Sequence, residues 1–270
     1  MPWESFRHWI ERLQAAGDLI EIADSVSTEY EIAAYIKKTC LEAGPAVRFS
    51  DVEGYDIDVV GGLYGAKHRI LSAFDVDTHV EAVTAYGDRL DTPIEPTVVS
   101  DGPVREVVDT DPDLFDLPIV KHSEHDAGHY ITAGTVVANL PHTGVRGQGM
   151  CRMLRRGRDE LTIFAPAERR IGYAYRANYE RRGDPTEIAV VIGCSPEVTL
   201  GSIASVPHNV DKYAVAGGLR GAPVELVGCE TVDLEVPANA EMVIEGTIRP
   251  DREVTEAPFG EFAGCYSGEG

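Results

Sequence analysis

The 270 residues carry 45 acidic against 24 basic side chains, a formal charge of -21, which excludes the basic face that nucleic-acid phosphates or an anionic membrane would need. A hydrophobic share of 43% suits an ordinary globular chain with room for two domains. No apolar run approaches the ~20 residues of a spanning helix, and the N-terminus carries acids where a signal peptide would be apolar, so a soluble cytoplasmic protein is expected.

Lysine is confined to Lys37, Lys38, Lys67, Lys121 and Lys212, and arginine supplies the other positive charges. Such an acid-rich, lysine-poor surface suits a halophilic setting, where salt screens the self-repulsion and charge maintains solubility. Cys40, Cys151, Cys194, Cys229 and Cys265 are odd in number, widely spread and contain no C-x-x-C. They read as reduced, mostly buried thiols rather than a disulfide framework or a zinc knuckle.

Ser5 caps a first helix whose apolar positions Phe6, Trp9, Ile10 and Leu13 keep helical spacing, and Gly17 closes it. Leu19 to Ile22 reads as a strand. Ser27 or Thr28 opens a second helix that stops at Gly44-Pro45. Ala46 to Phe49 and Ile57 to Val60 read as strands, and Thr78 begins another helix. This alternation makes the chain up to about Tyr86 an α/β layer. Prolines then accumulate from Leu90 to Pro118, a boundary segment. Beyond it strands are expected at Tyr130 to Leu140, Gly149 to Leu154, Leu161 to Ala165, Glu187 to Cys194, Val224 to Gly228 and Met242 to Ile248. Two helices interrupt them, one capped by Ser195 and one from Asn209 to Leu219, which indicates an α+β, barrel-like second domain. The chain ends at Gly270 with no element to finish that domain, so a truncated or split product is expected.

Several segments carry candidate chemistry. Glu256-Ala-Pro-Phe-Gly-Glu261 sets two carboxylates around a Pro and a Gly that forbid a regular helix, so both acids sit on a shaped turn able to aim them into one cavity. The alternative is a solvated hairpin tip. His122, His125 and His129 have the spacing of metal ligands on one helical face, yet Gly128 and the strand-like Tyr130-Ile-Thr132 favour a solvated loop. The G-x-G at residues 147 to 149 lacks the third glycine and following helix of a dinucleotide fingerprint, and reads as close backbone approach to a flat ligand or another strand. Arg152 stands in an apolar strand, where it is a structural ion pair, an edge residue facing water, or a clamp for a substrate carboxylate. Glu230 alternates with Val232, Leu234 and Val236, the wet face of a strand.

Read in order, Phe6-x-x-Trp9-Ile10-x-x-Leu13-x-x-x-Gly17-x-Leu19, Glu31-Ile-Ala-Ala34 and Gly44-Pro45-Ala46-Val-x-Phe49 resemble the opening of the UbiD-like decarboxylases, which use prenylated FMN, and Asp126-x-Gly128-x-Tyr130-Ile-Thr132 resembles their entry into the flavin-binding domain. Leu219-Arg-Gly221, Cys229-Glu-Thr-x-Asp-Leu-Glu-Val-Pro237, Glu241-Met-Val-Ile-Glu-Gly246 and Ala257-Pro-Phe-Gly-Glu261 extend the resemblance to residue 264. It implies an α/β N-terminal domain, residues 1–115, followed by an α+β split-barrel flavin-binding domain, residues 116–270, with the family's usual C-terminal domain absent.

The resemblance also implies roles. Glu256 holds Arg152, Arg152 orients the substrate carboxylate and the cofactor, and Glu261 donates the proton that replaces CO2. Prenylated FMN is contacted by Met150, Cys151 and Arg152, by Phe164, Ala165 and Pro166, and by Arg169 and Arg170. Glu230 matches the ligand of a divalent metal, Mn or Mg, that ties the cofactor phosphate to the protein. The chain departs from the family at Gly147, where Asn is usual as a second metal ligand, and at Arg169 or Arg170, where some members have His. An arginine binds phosphate directly by charge-assisted bonds, so Arg169 or Arg170 is expected to replace the metal in part. The carbanion left by CO2 needs an electron sink that side chains do not offer, and a cofactor supplies one.

The expected function is thus reversible non-oxidative decarboxylation of an aromatic or α,β-unsaturated carboxylic acid. A flavin prenyltransferase would furnish the cofactor. The partner would be a second copy in a homo-oligomer or a chain supplying the C-terminal domain. The competing readings are a flavin-binding or assembly subunit without turnover and a purely structural acid-rich domain. From the charge alone, the thermal midpoint is expected to rise between dilute buffer and molar KCl; a melting curve indifferent to salt removes the halophilic reading.

Overall fold

The computed structural model describes residues 3–141, 143–183, 185–255, 258–261 and 263–266, and only the backbone of 179–182. Ser5 accepts from the backbone N–H of His8 at 3.1 Å and starts α1 (Phe6–Ala15), which buries Trp9 and Leu13. Strands β1 (Leu19–Ile22) and β2 (Ala46–Phe49) pair in parallel, and β3 (Val59–Gly61) lies antiparallel to β2. Helix α2 (Glu31–Leu41) begins later than Ser27 or Thr28. Ser27 is spent on its own turn: its hydroxyl accepts from Glu29 N and its N–H donates to the Glu31 carboxylate. Tyr30, at φ 71, takes the N-cap position instead.

Helix α3 (Lys67–Phe74) was not expected from the pattern, because the centre of its inner face is an arginine. Arg69 is fully buried and donates to the carbonyls of Gly44, Gly62 and Leu63 and to Asp18, so a charged residue fills an apolar register position. Helix α4 (His79–Leu90) starts at a capping box between Thr78 and Glu81.

The proline-rich segment contains β4 (Thr97–Val98), which pairs in parallel with Glu225 and Leu226, and two single-turn 3-10 helices. Two expected strands are each broken. Tyr130 to Leu140 divides into β5 (Tyr130–Ile131) and β6 (Thr135–Asn139) around Gly134, where a Cβ would lie 2.8 Å from both Met153 Cε and Val190 Cγ1. Gly149 to Leu154 divides into β7 (Arg146–Met150) and β8 (Met153–Arg155), with Cys151 and Arg152 in the gap. Arg152 therefore stands between strands, not within one.

Then follow β9 (Leu161–Ile163), α5 (Arg170–Arg182), β10 (Thr186–Ile192), α6 (Pro196–Ser202) and α7 (Lys212–Arg220). After these come β11 (Glu225–Gly228), β12 (Glu235–Pro237) and β13 (Met242–Ile248). Helix α5 makes a third helix here where two were expected; its inner stripe, Ile171, Gly172 and Ala174, is too small and short to register as amphipathic. Helix α7 starts three residues after Asn209, where the Asp211 carboxylate accepts from Tyr213 N at 2.8 Å. The sheets run β1-β2-β3, β13-β10-β6-β7, β12-β11-β4 and β5-β8-β9; among the described residues none closes into a barrel. Mixed α/β content is the coarse outcome.

The two halves share a core in which Phe74 and Ala82 pack with Ala204, Val215 and Leu219. Contact is backbone-close because α7 carries Gly217 and Gly218: a Cβ at 217 would sit 2.3 Å from Ile94 O, and one at 218 would sit 2.7 Å from Arg89 O and Thr92 O. Trp3 N donates to Glu197 at 2.9 Å and Arg7 forks onto Glu241, tying the N-terminus to the second half. Among the described residues no helix is long and apolar enough to cross a membrane. Alanine in a helix interior normally gains about 1 kcal/mol over glycine, yet Gly217→Ala is expected to lose about 1–3 kcal/mol in urea unfolding because it overpacks the junction. Gly87→Ala in α4, with open space at its Cβ, is expected to stabilise.

Candidate active site

The gap between β7 and β8 is where the chain leaves one sheet for another, and it turns Arg152 out of both ladders. Nη1 of Arg152 lies 2.5 Å from Oε1 of Glu261, 109 residues away. The guanidinium carbon sits 4.3 Å from the Phe164 ring centroid and 4.9 Å from that of Phe259. The arginine side chain is 12% exposed and the glutamate 34%, so the cation is held in the protein while the acid still meets solvent. Phe164 is placed by its own N–H, which donates to Arg152 O at 3.1 Å. Sequence reasoning did not single out Phe259, although it lies inside the turn that carries Glu261. Glu256 lies outside the described residues.

Next to Arg152, Met150 and Phe164 are 41% and 40% exposed, an unusual amount of large apolar surface beside a charge. Cys151, on the same stretch, is buried, and burial pushes its thiol up to about 11, so it remains protonated and packs as a small apolar group. Ala165 and Pro166 lie against the first turn of α5. A Cβ at Gly172 would be 2.2 Å from Pro166 O and 2.5 Å from Ala165 O, so only glycine lets the helix approach this closely.

The two arginines at the start of α5 differ. Arg170 is buried and donates to the carbonyls of Val206, Pro207 and Val210 at 2.9, 2.5 and 2.8 Å, which commits its guanidinium to that loop. Arg169 is exposed. Lys212 was missed by sequence reasoning, its one signal being an ammonium ahead of an otherwise apolar helix. It is buried and donates to Ser202 O at 2.5 Å. Burial, with repulsion from Arg170 and Arg169, brings its pKa down to about 8.

Glu230 lies in a turn ahead of β12, not on a strand. Its carboxylate pairs with Nε of Arg105. Its N–H, with the N–H and hydroxyl of Thr231, donates to Glu245 at 2.8, 2.6 and 2.5 Å. Burial opposes the Glu245 charge, but these bonds outweigh it and hold the carboxyl below its usual value. Gly147 offers no ligand side chain, and a Cβ there would lie 3.0 Å from Leu140 Cδ2. Among the described residues no group of three or more His, Cys, Asp or Glu could hold a metal ion. A divalent metal at Glu230 would have to displace the Arg105 guanidinium, while Met150 and Phe164 leave large apolar surface open beside Arg152.

The three histidines diverge. His122 faces Phe259 with ring centroids 6.5 Å apart, and burial pushes its pKa below the usual imidazole value. His125 stacks toward Tyr266, and His129 donates from Nδ1 to Ile119 O at 2.6 Å.

Known proteins share this fold. Residues 97–270 match the family model described as the UbiD 3-octaprenyl-4-hydroxybenzoate carboxy-lyase Rift-related domain, and residues 10–90 match the corresponding N-terminal domain. The UbiD-class enzyme HmfF from Pelotomaculum thermopropionicum, solved in complex with FMN, is 38% identical, with a TM-score of 0.92 over 99% of this chain and 60% of that one. The vanillic acid decarboxylase of Sedimentibacter hydroxybenzoicus, in its closed form, is 31% identical, with a TM-score of 0.95 over 100% of this chain and 60% of that one. An uncharacterized protein from the cooM 5' region of Rhodospirillum rubrum is 34% identical over 96% of this chain and 57% of its own length. The chain thus spans about three fifths of the relatives it matches.

The depressed Lys212 sets a pH test. Between about 8 in the fold and ~10.4 in the unfolded chain, the unfolded chain binds more protons, so stability rises with pH across that window; below it both states are charged and the burial penalty is complete. The stability difference between Lys212→Met and the parent, variant minus parent in urea, is expected to be more positive at pH 7 than at pH 10.

Proposed function

We propose, because this chain belongs to the UbiD family of carboxy-lyases, that it carries out the reversible, non-oxidative decarboxylation of an aromatic or α,β-unsaturated carboxylic acid with prenylated FMN. The observation that supports this reading above all is the Arg152 guanidinium held between Phe164 and Phe259 with Glu261 on Nη1. An evolved dimeric form of HmfF is described in complex with prenylated FMN, and the exposed Met150 and Phe164 give this chain a surface for the same kind of group. The division into an N-terminal α/β domain to residue 115 and a split-barrel flavin domain from 116 belongs to the same proposal.

In this reading Arg152 binds the substrate carboxylate through the planar fork that matches it, and Glu256 shares in holding the arginine. Prenylated FMN, when held there, would supply the electron sink for the carbon that loses its carboxylate. Glu261 then delivers its proton to that carbon, CO2 departs, and solvent reprotonates the glutamate. Met150, Cys151, Ala165 and Pro166 line the cofactor. Its phosphate goes to exposed Arg169, because Arg170 is committed to three carbonyls.

One observation favours a second reading, a flavin-binding or assembly subunit. Arg105 occupies Glu230 and glycine stands at 147, so the phosphate anchor differs from the family pattern. Assembly with a second copy of this chain belongs to either reading.

Co-expression with a flavin prenyltransferase tests the proposal. A flavin-like spectrum with CO2 release from vanillate, 3,4-dihydroxybenzoate or cinnamate supports the decarboxylase; the spectrum without CO2 release supports the subunit. Glu261→Gln is expected to lower turnover by at least ~100-fold with flavin still bound, the scale of general acid catalysis. Flavin loading should survive EDTA and be lost in Arg169→Ala; loading that needs manganese overturns the phosphate assignment.

A further inference from the structure

Glu261 lies on a short hairpin whose Gly260 bridges to Tyr266 and whose own N–H donates to Cys265 O at 2.8 Å. None of those contacts fixes the hairpin relative to Arg152. The segment from Ser123 to Tyr130 does. Ala127 N donates to Pro258 O at 3.1 Å, the Tyr130 hydroxyl reaches the same carbonyl at 3.5 Å, and the Tyr130 and Phe259 rings lie 4.8 Å apart. At the centre is Asp126, 4% exposed. Its Oδ1 accepts from Gly260 N at 2.7 Å and its Oδ2 from Ser123 N at 2.8 Å.

This arrangement is specific to an aspartate. Both partners are donors, and only a carboxylate offers an acceptor to each; an asparagine would turn an N–H on one of them. A buried N–H left without a partner costs about 1–3 kcal/mol, and a charged acceptor makes the bond roughly twice as strong as a neutral one. The approach also requires glycine at 260, since a Cβ there would lie 2.5 Å from Ser123 Oγ. The peptide so held is Phe259–Gly260, which carries the ring beside Arg152 and stands one residue before the Glu261 that pairs with it.

We propose that Asp126 is a positioning residue for Glu261: by fixing the Gly260 peptide it holds the carboxylate of the next residue against Arg152. The catalytic part of this inference rests on the decarboxylase reading; the structural part does not. A misplacement of about 1 Å in a reacting group can cost about 100-fold in rate, so loss of Asp126 reduces proton delivery without touching substrate or flavin.

The test uses the full chain loaded with prenylated flavin and compares Asp126→Ala and Asp126→Asn with the parent by amide hydrogen exchange on peptides spanning 258–266. Exchange in this segment is expected to quicken about tenfold or more in both variants, the equivalent of one lost bond, while peptides from β10 keep their protection. With the best acid of the panel, kcat is expected to fall about 10- to 100-fold at unchanged flavin occupancy and with KM within about threefold. A structural tether alone would speed exchange and leave kcat in place, and that result overturns the proposal. Unchanged exchange in Asp126→Asn, which preserves volume should the alanine variant not fold, also overturns it. If the parent releases no CO2 from any acid, the decarboxylase reading fails, and exchange together with the Arg152–Glu261 separation in a crystal of Asp126→Asn decides the positioning role.

Discussion

A guanidinium that is only 12% exposed must find electrons to face, and Arg152 finds them in two aromatic rings and a carboxylate. Each ring contact contributes about 0.5–2 kcal/mol by cation–π attraction. The carboxylate offsets a desolvation cost that neither ring could cover. Removing one partner would leave an uncompensated charge in a place water reaches poorly. This requirement draws together three stretches that share no local structure: the gap after β7, the segment after β9 and the turn at 258–261.

The surrounding architecture serves that convergence. A continuous strand from Arg146 to Arg155 would hold Arg152 in a ladder, with its direction set by the pleat. Splitting the strand lets β7 pair with β6 and β8 with β5 and β9, and frees the arginine to point at the junction. The N-terminal half reaches the same region from the other side. Tyr30, at φ 71, donates its N–H to Lys121 O at 3.1 Å, and the Lys121 ammonium lies 5.3 Å from the Tyr30 ring. A positive φ at an aromatic residue is strained; here it buys a backbone contact to the segment that leads into Asp126.

Charge follows the same division. Exposed acids dominate the surface, while several cations are drawn inward onto carbonyls and carboxylates: Arg69 onto three carbonyls and Asp18, Arg170 onto three carbonyls, and Arg146 onto Asp211 and Glu235. Arginine suits this role because its five donors form a fixed fork and its charge does not titrate away.

Local rules carried the N-terminal elements a long way. The Ser5 cap, the Trp9 and Leu13 stripe and the Thr78 box are decided within one turn of helix, so α1 and α4 were legible without any partner. The family resemblance was likewise carried by residues in order, and the candidate roles of Arg152 and Glu261 came with it. What the chain alone could not convey depends on contacts distant in sequence. Arg69 fills an apolar position in α3 because carbonyls from other segments receive it, and α5 hides its buried stripe in Gly172 and Ala174. Gly134 and the Cys151-Arg152 gap break strands for neighbours that arrive from elsewhere. Glu230 meets Arg105 across 125 residues, and the Phe259 ring meets Arg152 across a similar span; such pairings have no periodicity to read and exist only once the sheets and loops have packed.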